Sequence, residues 1–237
     1  MANLIIDLGN TALKACWSDG ITLGKTFRYQ GERFIDFILT LTEKVKPEVM
    51  LISSSREITQ KNESKLIKEC SKLVIMDANH KEAYAGWNIP EYISSDRMAS
   101  VVAARFLFKD KPISIVDCGN TLSFDFIDAS GSYVGGNVSL GCRTRFKALN
   151  RYSKSLPLLN NPEDIPALGT CLEDSVQAGV IRGMLFEIEG YLSERHENIV
   201  VFTGGDAIYF AKKMKNSIFV VCNLVLMGLA IIADKYE

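Results

Sequence analysis

Two stretches of the sequence, Ile6-Asp7-Leu8-Gly9-Asn10-Thr11 and Val116-Asp117-Cys118-Gly119-Asn120-Thr121, decide its fold. In each copy an apolar run of strand character ends in aspartate, and Gly-Asn precedes a second apolar run, which is typical of a hairpin turn. Chance produces one such stretch easily, but two copies that each end one strand and begin another indicate an internal repeat. We therefore expect two related halves, residues 1–112 and 113–237, joined by residues 92–111.

The segments around each copy alternate between strand and helix patterns, which predicts an α/β fold with mixed β-sheets flanked by helices. In the first half we predict strands at 4–7, 12–17, 21–28, 49–53 and 73–76, and helices at 32–46, 59–70 and 98–108. In the second half we predict strands at 113–117, 122–127, 133–139, 199–202 and 218–221, and helices at 143–151, 173–194, 206–214 and 223–234. The apolar run Ile218–Ala233 falls short of the roughly 20 residues of a membrane span, so we expect a buried strand and a core helix.

The composition excludes several classes of partner. The chain has 237 residues, 47% of them hydrophobic, and a formal net charge of -1, so neither nucleic acid nor a membrane surface is an expected partner. None of the six cysteines forms a Cys-x-x-Cys pair and only two histidines exist, which argues against structural zinc. The N-terminus shows no basic leader before an apolar stretch, so we expect reduced thiols and a cytoplasmic location.

The first repeat has the residue types of a phosphate site. A tight turn at Gly9 and Asn10 can present backbone N–H groups to an anion, Thr11 adds a hydroxyl, and Lys14 adds positive charge. Asp7 at the strand end can hold a hydrated magnesium ion beside phosphates. The alternative is an ordinary hairpin with a capping aspartate. The second copy favours the phosphate site, because two facing turns would form a clamp for a polyphosphate in a cleft between the halves.

Two further segments allow both a functional and a purely structural interpretation. Gly204-Gly205-Asp206 follows a predicted strand and opens a helix, so it is either an adenosine-side contact or a plain turn with Asp206 as N-cap. Ser94-Ser95-Asp96-Arg97 is either a helix start, or it supplies Asp96 as base for an alcohol and Arg97 as clamp for a carboxylate.

Taken together, these motifs resemble the type III pantothenate kinases, in family order along nearly the whole chain. The resemblance rests on the following stretches: residues 7–14 (first phosphate motif), Pro90 with 94–97 (substrate motif), 117–125 (second phosphate motif), 135–141 (Gly-Gly loop) and 203–207 (adenosine loop). It implies two duplicated actin-like (ribonuclease H-like) domains, a homodimer, and transfer of the ATP γ-phosphate to pantothenate in the first step of coenzyme A synthesis. It also implies magnesium and a monovalent cation, potassium or ammonium.

The resemblance also assigns roles to individual positions. It makes Asp96 the general base, Asp117 the monovalent-cation ligand, and Asp7 the residue that holds magnesium through water. The ATP and phosphate contacts it implies are Asp7, Leu8, Gly9, Asn10, Thr11, Ala12, Leu13, Lys14, Asn120, Thr121, Gly204 and Gly205. The substrate contacts it implies are Trp87, Ser94, Ser95, Asp96, Arg97 and Leu172.

Four of these positions depart from the family pattern. Trp87 stands where the family has tyrosine, Ser94 where it has glycine, and Asn120 and Leu172 where it has threonine. The alternatives are an actin-like kinase for another small alcohol, and a non-catalytic relative of the accessory factors in virulence-gene regulation. Retention of Asp7, Asp96, Arg97 and Asp117 favours catalysis.

Overall fold

Each copy of the repeat lies at the centre of its own β-sheet in the computed structural model, which describes residues 2–80 and 82–236. The chain divides into two compact units. The first unit runs to Leu107 and resumes at Asn223, and the second unit is Phe108–Cys222.

The first unit contains a five-stranded sheet in the order β3-β2-β1-β4-β5. Its strands are β1 (Ala2–Leu8), β2 (Leu13–Asp19), β3 (Thr22–Tyr29), β4 (Val49–Ser54) and β5 (Lys72–Met76). Its helices are α1 (Phe34–Thr42), α2 (Gln60–Leu66) and α3 (Ser95–Leu107), with short 3-10 turns at Ile67–Glu69 and Glu82–Tyr84. The first three strands are antiparallel, whereas β4 and β5 run parallel to β1. Every residue of β4 is buried, as expected for a central parallel strand.

The second unit repeats this arrangement with a sheet in the order β10-β9-β6-β7-β8. Its strands are β6 (Ile113–Cys118), β7 (Thr121–Ile127), β8 (Tyr133–Leu140), β9 (Ile199–Thr203) and β10 (Ile218–Val220). Its helices are α4 (Cys142–Tyr152), α5 (Leu172–Ser193) and α6 (Ala207–Ala211), and α7 (Leu224–Asp234) follows in the chain. The antiparallel and parallel pairings match those of the first unit strand for strand, which confirms the predicted duplication.

The C-terminal helix lies in a different unit from the one that the sequence predicts. We expected residues 113–237 to form one half, but the segment from Asn223 belongs to the first unit. The reason is that α7 is apolar and packs against α3 and β1. The helices approach so closely that a Cβ on Gly228 would lie 1.8 Å from the carbonyl oxygen of Ala99.

The segment predicted to join the halves is mostly core helix. Helix α3 covers Ser95–Leu107, and eight of its residues are buried. The apolar run near the C-terminus is a short strand and a buried helix. The core helix is confirmed, but the prediction of a buried strand is wrong, because β10 is an edge strand and exposes Phe219 and Val220. Helix α1 is shorter than predicted at both ends, since it begins at Phe34 and ends at Thr42. Within residues 2–80 and 82–236, no helix has the length and hydropathy to cross a bilayer.

Candidate active site

The first turn joins β1 to β2 and is fixed from two sides. The strand register places Asp7 opposite Lys14, and the Gly9 N–H donates to the Ala12 carbonyl at 3.1 Å. The Ser55 N–H donates to the Leu8 carbonyl at 3.1 Å, and the Arg56 guanidinium donates to the Asn10 carbonyl at 2.6 Å. The Gly9 N–H is therefore already hydrogen-bonded within the hairpin. Arg56, which is not part of the motif, places its guanidinium beside the turn.

Asp7 lies close to a second carboxylate. Burial, and after it the charge of Asp96, raise the pKa of Asp7 to about 6, and the charge of Lys14 opposes this rise. Because β1 and β4 are parallel neighbours, Ser53 lies beside Asp7 on the same face of the sheet. The structure thus brings together Asp7 and Asp96, which are far apart in the sequence.

Asp96 is held in the first turn of α3. The helix begins at Ser95, and the Met98 N–H donates to the Ser94 carbonyl at 2.9 Å. One carboxylate oxygen of Asp96 accepts the Arg97 N–H at 2.8 Å. A carboxylate at this end of a helix is favoured by the helix dipole. The helix-start interpretation of this segment is confirmed, and it leaves Asp96 half-buried near Asp7.

Trp87 is fixed by two basic side chains of the same unit. Its carbonyl accepts from the Arg105 guanidinium at 2.7 Å, and the Lys235 ammonium lies 3.4 Å from the centroid of its ring. Asn88, the next residue, has a φ of 51°, in the left-handed region that asparagine tolerates. The loop around Trp87 is therefore anchored to α3 and to the end of α7.

The second turn is closed mainly by backbone and small residues. The Gly119 N–H donates to the Thr121 carbonyl at 2.9 Å. The Asn120 carbonyl accepts the Gly141 N–H at 2.9 Å and the Thr144 hydroxyl at 2.7 Å. A Cβ on Gly141 would lie 2.0 Å from the Gly119 carbonyl oxygen, so only glycine fits there. The Gly-Gly loop of the sequence thus ends directly against the second phosphate motif.

The glycine pair after β9 packs against the same turn. Gly204 has a φ of 92°, and a Cβ on it would lie 2.4 Å from a carboxylate oxygen of Asp117. The Asp206 N–H donates to the Cys118 carbonyl at 2.9 Å. Burial raises the pKa of Asp206, and the charge of Arg143 opposes the rise. The predicted cation ligand and the predicted adenosine loop are therefore immediate neighbours.

Leu172 lies in a different kind of environment. It begins α5 with an exposed fraction of 49% and lines an apolar groove of about 550 Å³ along α4 and α5. The other lining residues are Leu140, Arg145, Ala148, Leu149, Leu156, Ser175, Val176, Gly179 and Val180. This position can supply apolar contact but no hydroxyl.

The donor groups fit a hydrated magnesium ion and a polyphosphate. Among the described residues, no three His, Cys, Asp or Glu side chains cluster in a way that would hold a metal ion by themselves. Magnesium commonly uses one or two carboxylates and completes its shell with water and phosphate oxygens, so Asp7 alone suits it. At Gly141 and Gly204 the position of a Cβ is already occupied by atoms of the second turn, so both glycine segments pack tightly against that turn.

Two residues near Asp96 were not found by sequence reasoning. Ser53 lies near the carboxyl end of β4, beside Asp7 of β1, and Tyr84 ends the 3-10 turn that precedes Trp87. Side chains at the carboxyl ends of parallel strands often face ligands, and that rule could have identified Ser53. No local signal marks Tyr84.

Two sheets of identical strand order, each with one Asp-x-Gly-Asn-Thr hairpin at its centre, form the duplicated domains of an actin-like fold. Solved structures share the fold. One is the activator of 2-hydroxyisocaproyl-CoA dehydratase from Clostridium difficile with bound ADPNP, with TM-score 0.60, 14% identity, and coverage of 100% of this chain and 95% of that chain. Another, from Campylobacter jejuni and assigned to the Baf family of transcriptional activators, has TM-score 0.62, 20% identity and 98% coverage of both chains.

Within this fold class, the chain belongs to the type III pantothenate kinase family. The family profile, described as type III pantothenate kinase, matches residues 3–194. A type III pantothenate kinase from Phocaeicola vulgatus is 36% identical over 234 residues, which cover 96% of each chain. The match thus extends over nearly all of both units.

Proposed function

We propose that this protein transfers the γ-phosphate of ATP to pantothenate and forms 4'-phosphopantothenate, the first step of coenzyme A synthesis. Membership of the type III pantothenate kinase family supports the substrate and the reaction. The observation that carries the proposal is that Asp96 lies close to Asp7. Phosphoryl transfer requires a group that orients the attacking hydroxyl, and this group must lie beside the site that binds the magnesium ion and the phosphates.

The first unit supplies the reacting groups in this proposal. The turn 7–14 binds the ATP phosphates, and Asp7 holds magnesium through water, which neutralises phosphate charge when bound. Asp96 accepts the hydroxyl proton of pantothenate and Arg97 binds its carboxylate. Trp87, Ser94 and Ser95 belong to the substrate segment. In a loose transition state the proton leaves late, so orientation by Asp96 matters more than its basicity.

The second unit supplies charge compensation and nucleotide contacts. Asp117 is the ligand for a monovalent cation, potassium or ammonium, and Asn120 and Thr121 contact phosphate. Gly204 and Gly205 let the backbone approach the adenosine. The packing of Gly204 against Asp117 supports a shared role, because it places the adenosine loop directly beside the cation ligand.

The proposal includes a homodimer in the cytoplasm, where ATP is available. The dimer is supported by the groove along α4 and α5, which exposes Leu140 and Leu172 at 48% and 49%. A second copy would cover this apolar surface. Size-exclusion chromatography with light scattering checks it. Elution near twice 26.3 kDa supports the dimer, and a monomer at micromolar concentration contradicts it.

The decisive experiment follows ATP consumption with magnesium and potassium, with and without pantothenate, and identifies phosphopantothenate by mass spectrometry. We expect product that diminishes when sodium replaces potassium. In the Asp96→Asn variant we expect kcat to fall by about 10²–10⁴-fold while ATP still binds. Near-normal turnover of that variant would remove Asp96 as base. ATP binding by the wild type without any product would instead favour a regulatory relative or another alcohol substrate.

A further inference from the structure

Three buried hydroxyl groups are linked beside the Asp7–Asp96 pair. The Ser53 and Ser95 hydroxyls lie 2.7 Å apart, and the Ser95 hydroxyl is also hydrogen-bonded to the hydroxyl of Tyr84. The exposed fractions of Ser53, Ser95 and Tyr84 are 2%, 5% and 4%. A substrate-contacting role for the Ser95 side chain conflicts with this burial, because its hydroxyl is already engaged with two protein groups.

Each of the three hydroxyls comes from a different part of the first unit. Ser53 lies on β4 beside Asp7, and Ser95 is the first residue of α3, directly before Asp96. Tyr84 ends the 3-10 turn that leads to Trp87. The links therefore join the sheet that carries Asp7, the helix that carries Asp96, and the loop that carries Trp87.

We propose that Ser53, Ser95 and Tyr84 form a positioning network that fixes Asp96 at its working distance and direction from Asp7. The proposal rests on the proposed role of Asp96, and it makes Ser95 a positioning residue rather than a substrate contact. Its physical basis is that two nearby carboxylates repel each other, so the start of α3 needs a bond to the sheet that opposes this repulsion.

The network positions groups and does not transfer protons. The pKa of Tyr84 is raised to about 12, mainly by burial and also by the charges of Asp96 and Asp77, while the hydrogen bond with Ser95 opposes the rise. Tyr84 therefore keeps its proton at neutral pH, and serine hydroxyls do not ionise in that range. Loss of one of these hydrogen bonds therefore moves Asp96 but removes no side chain that takes part in the reaction.

The chain offers a matched control for these links. Ser100 lies in the same helix at 2% exposure, and its hydroxyl has no hydrogen-bond partner among the described residues. Ser95→Ala and Ser100→Ala delete the same atom from the same helix, but only the first breaks the network. Tyr84→Phe deletes one oxygen at the far end and keeps the packing.

We expect Ser95→Ala to lower kcat for pantothenate phosphorylation by about 10- to 100-fold, since a displacement of about 1 Å can cost 10²-fold, with KM for pantothenate changed less than threefold. Tyr84→Phe should show the same pattern more weakly, and Ser100→Ala should stay within twofold of wild type. The double variant Ser53→Ala/Ser95→Ala should be about as active as Ser95→Ala alone, because both remove one shared bond.

Three results would overturn the network. They are an equal loss of kcat in Ser95→Ala and Ser100→Ala, a rise in pantothenate KM alone, and additive losses in the double variant. If Ser95→Ala does not fold, the same comparison of kcat and KM is made with Tyr84→Phe in its place.

Amide hydrogen exchange at Arg97 tests the network without measuring turnover. Faster exchange in Ser95→Ala and Tyr84→Phe than in Ser100→Ala supports the network, and equal exchange contradicts it. An inactive wild type with intact exchange differences would defeat the proposed function and keep the network.

Discussion

The two Asp-x-Gly-Asn-Thr turns share a backbone design but differ in what surrounds them. In both, the glycine N–H closes the hairpin and the asparagine carbonyl accepts a side-chain donor. Around the first turn the neighbours are charged, with Lys14 and Asp96 near Asp7 and Arg56 beside Asn10. Around the second turn they are glycines, which bring backbone close to Asp117. Both units have kept the hairpin. The surroundings of the first turn are set by charged side chains, and those of the second turn are set by close backbone packing at glycines.

The largest expected effect comes from removing the charge of the first turn. Asp7→Asn should lower turnover by about 100-fold or more, because the carboxylate that holds magnesium is lost. In the wild type, a pKa of about 6 means that Asp7 becomes protonated as the pH falls through that value, so kcat/KM for MgATP should decline below pH 6. The measurement is a pH profile at saturating magnesium.

The same substitution should stabilise the free protein. The folded-state pKa of Asp7 is raised above its ordinary value of 3.8, so its contribution to stability is lost as the pH rises from about 4 to about 6. Asp7→Asn avoids this loss and should raise the free energy of unfolding at pH 7.5 by on the order of 2 kcal/mol, with little gain at pH 4. Urea unfolding at both pH values checks it, with the exposed Asp164→Asn as control. A less stable Asp7→Asn at pH 7.5 would show that burial of this charge costs little.

The next effect should follow from adding a side chain beside the second turn, where the packing leaves no room for one. Gly204→Ala puts a Cβ against Asp117 at a φ of 92°, so we expect a loss of about 1–3 kcal/mol in unfolding free energy and weaker activation by potassium. Gly205→Ala is the matched control for stability, because its Cβ would meet nothing within 4 Å. Equal unfolding free energies for the two variants would contradict the steric account.

The smallest effects should come from the two donors to the asparagine carbonyls. Arg56→Met and Thr144→Val each remove one hydrogen bond, and we expect each to cost about 0.5–1.5 kcal/mol in unfolding free energy. Their effects on ATP affinity should differ in salt dependence. The loss in Arg56→Met should shrink as salt is raised from 0.05 to about 0.5 M, since salt screens an exposed charge, and the loss in Thr144→Val should not change. Isothermal titration at several salt concentrations measures both, and parallel salt curves would refute the electrostatic difference.

Local signals made much of the fold predictable. Gly-Asn between two apolar runs predicted both hairpins, and the register that pairs Asp7 with Lys14 follows from the turn. Asp96 and Asp117 were predicted as functional positions from motifs whose residues adjoin one another in the chain. The structure adds that Asp96 approaches Asp7, and that Gly204 packs on Asp117.

Long-range packing explains what the sequence did not reveal. The apolar pattern of α7 shows that the helix is buried but not which sheet it covers, so the boundary at residue 112 assigned it to the second half. Ser53, Ser95 and Tyr84 meet only after β4, α3 and the 3-10 turn have packed together. The sequence around a serine or tyrosine does not show whether its hydroxyl is hydrogen-bonded within the protein or to water.

The return of α7 to the first unit has a consequence for biosynthesis. A ribosome makes the chain in order, so the whole of Phe108–Cys222 emerges before the helix that covers α3. Until then the nascent first unit exposes the apolar surface around Ala99, whereas the second unit already has all its strands. Contacts between residues so distant in sequence form slowly. We therefore expect the second unit to become stable first during translation, and the unit that carries Asp96 to be the last part of the protein to mature.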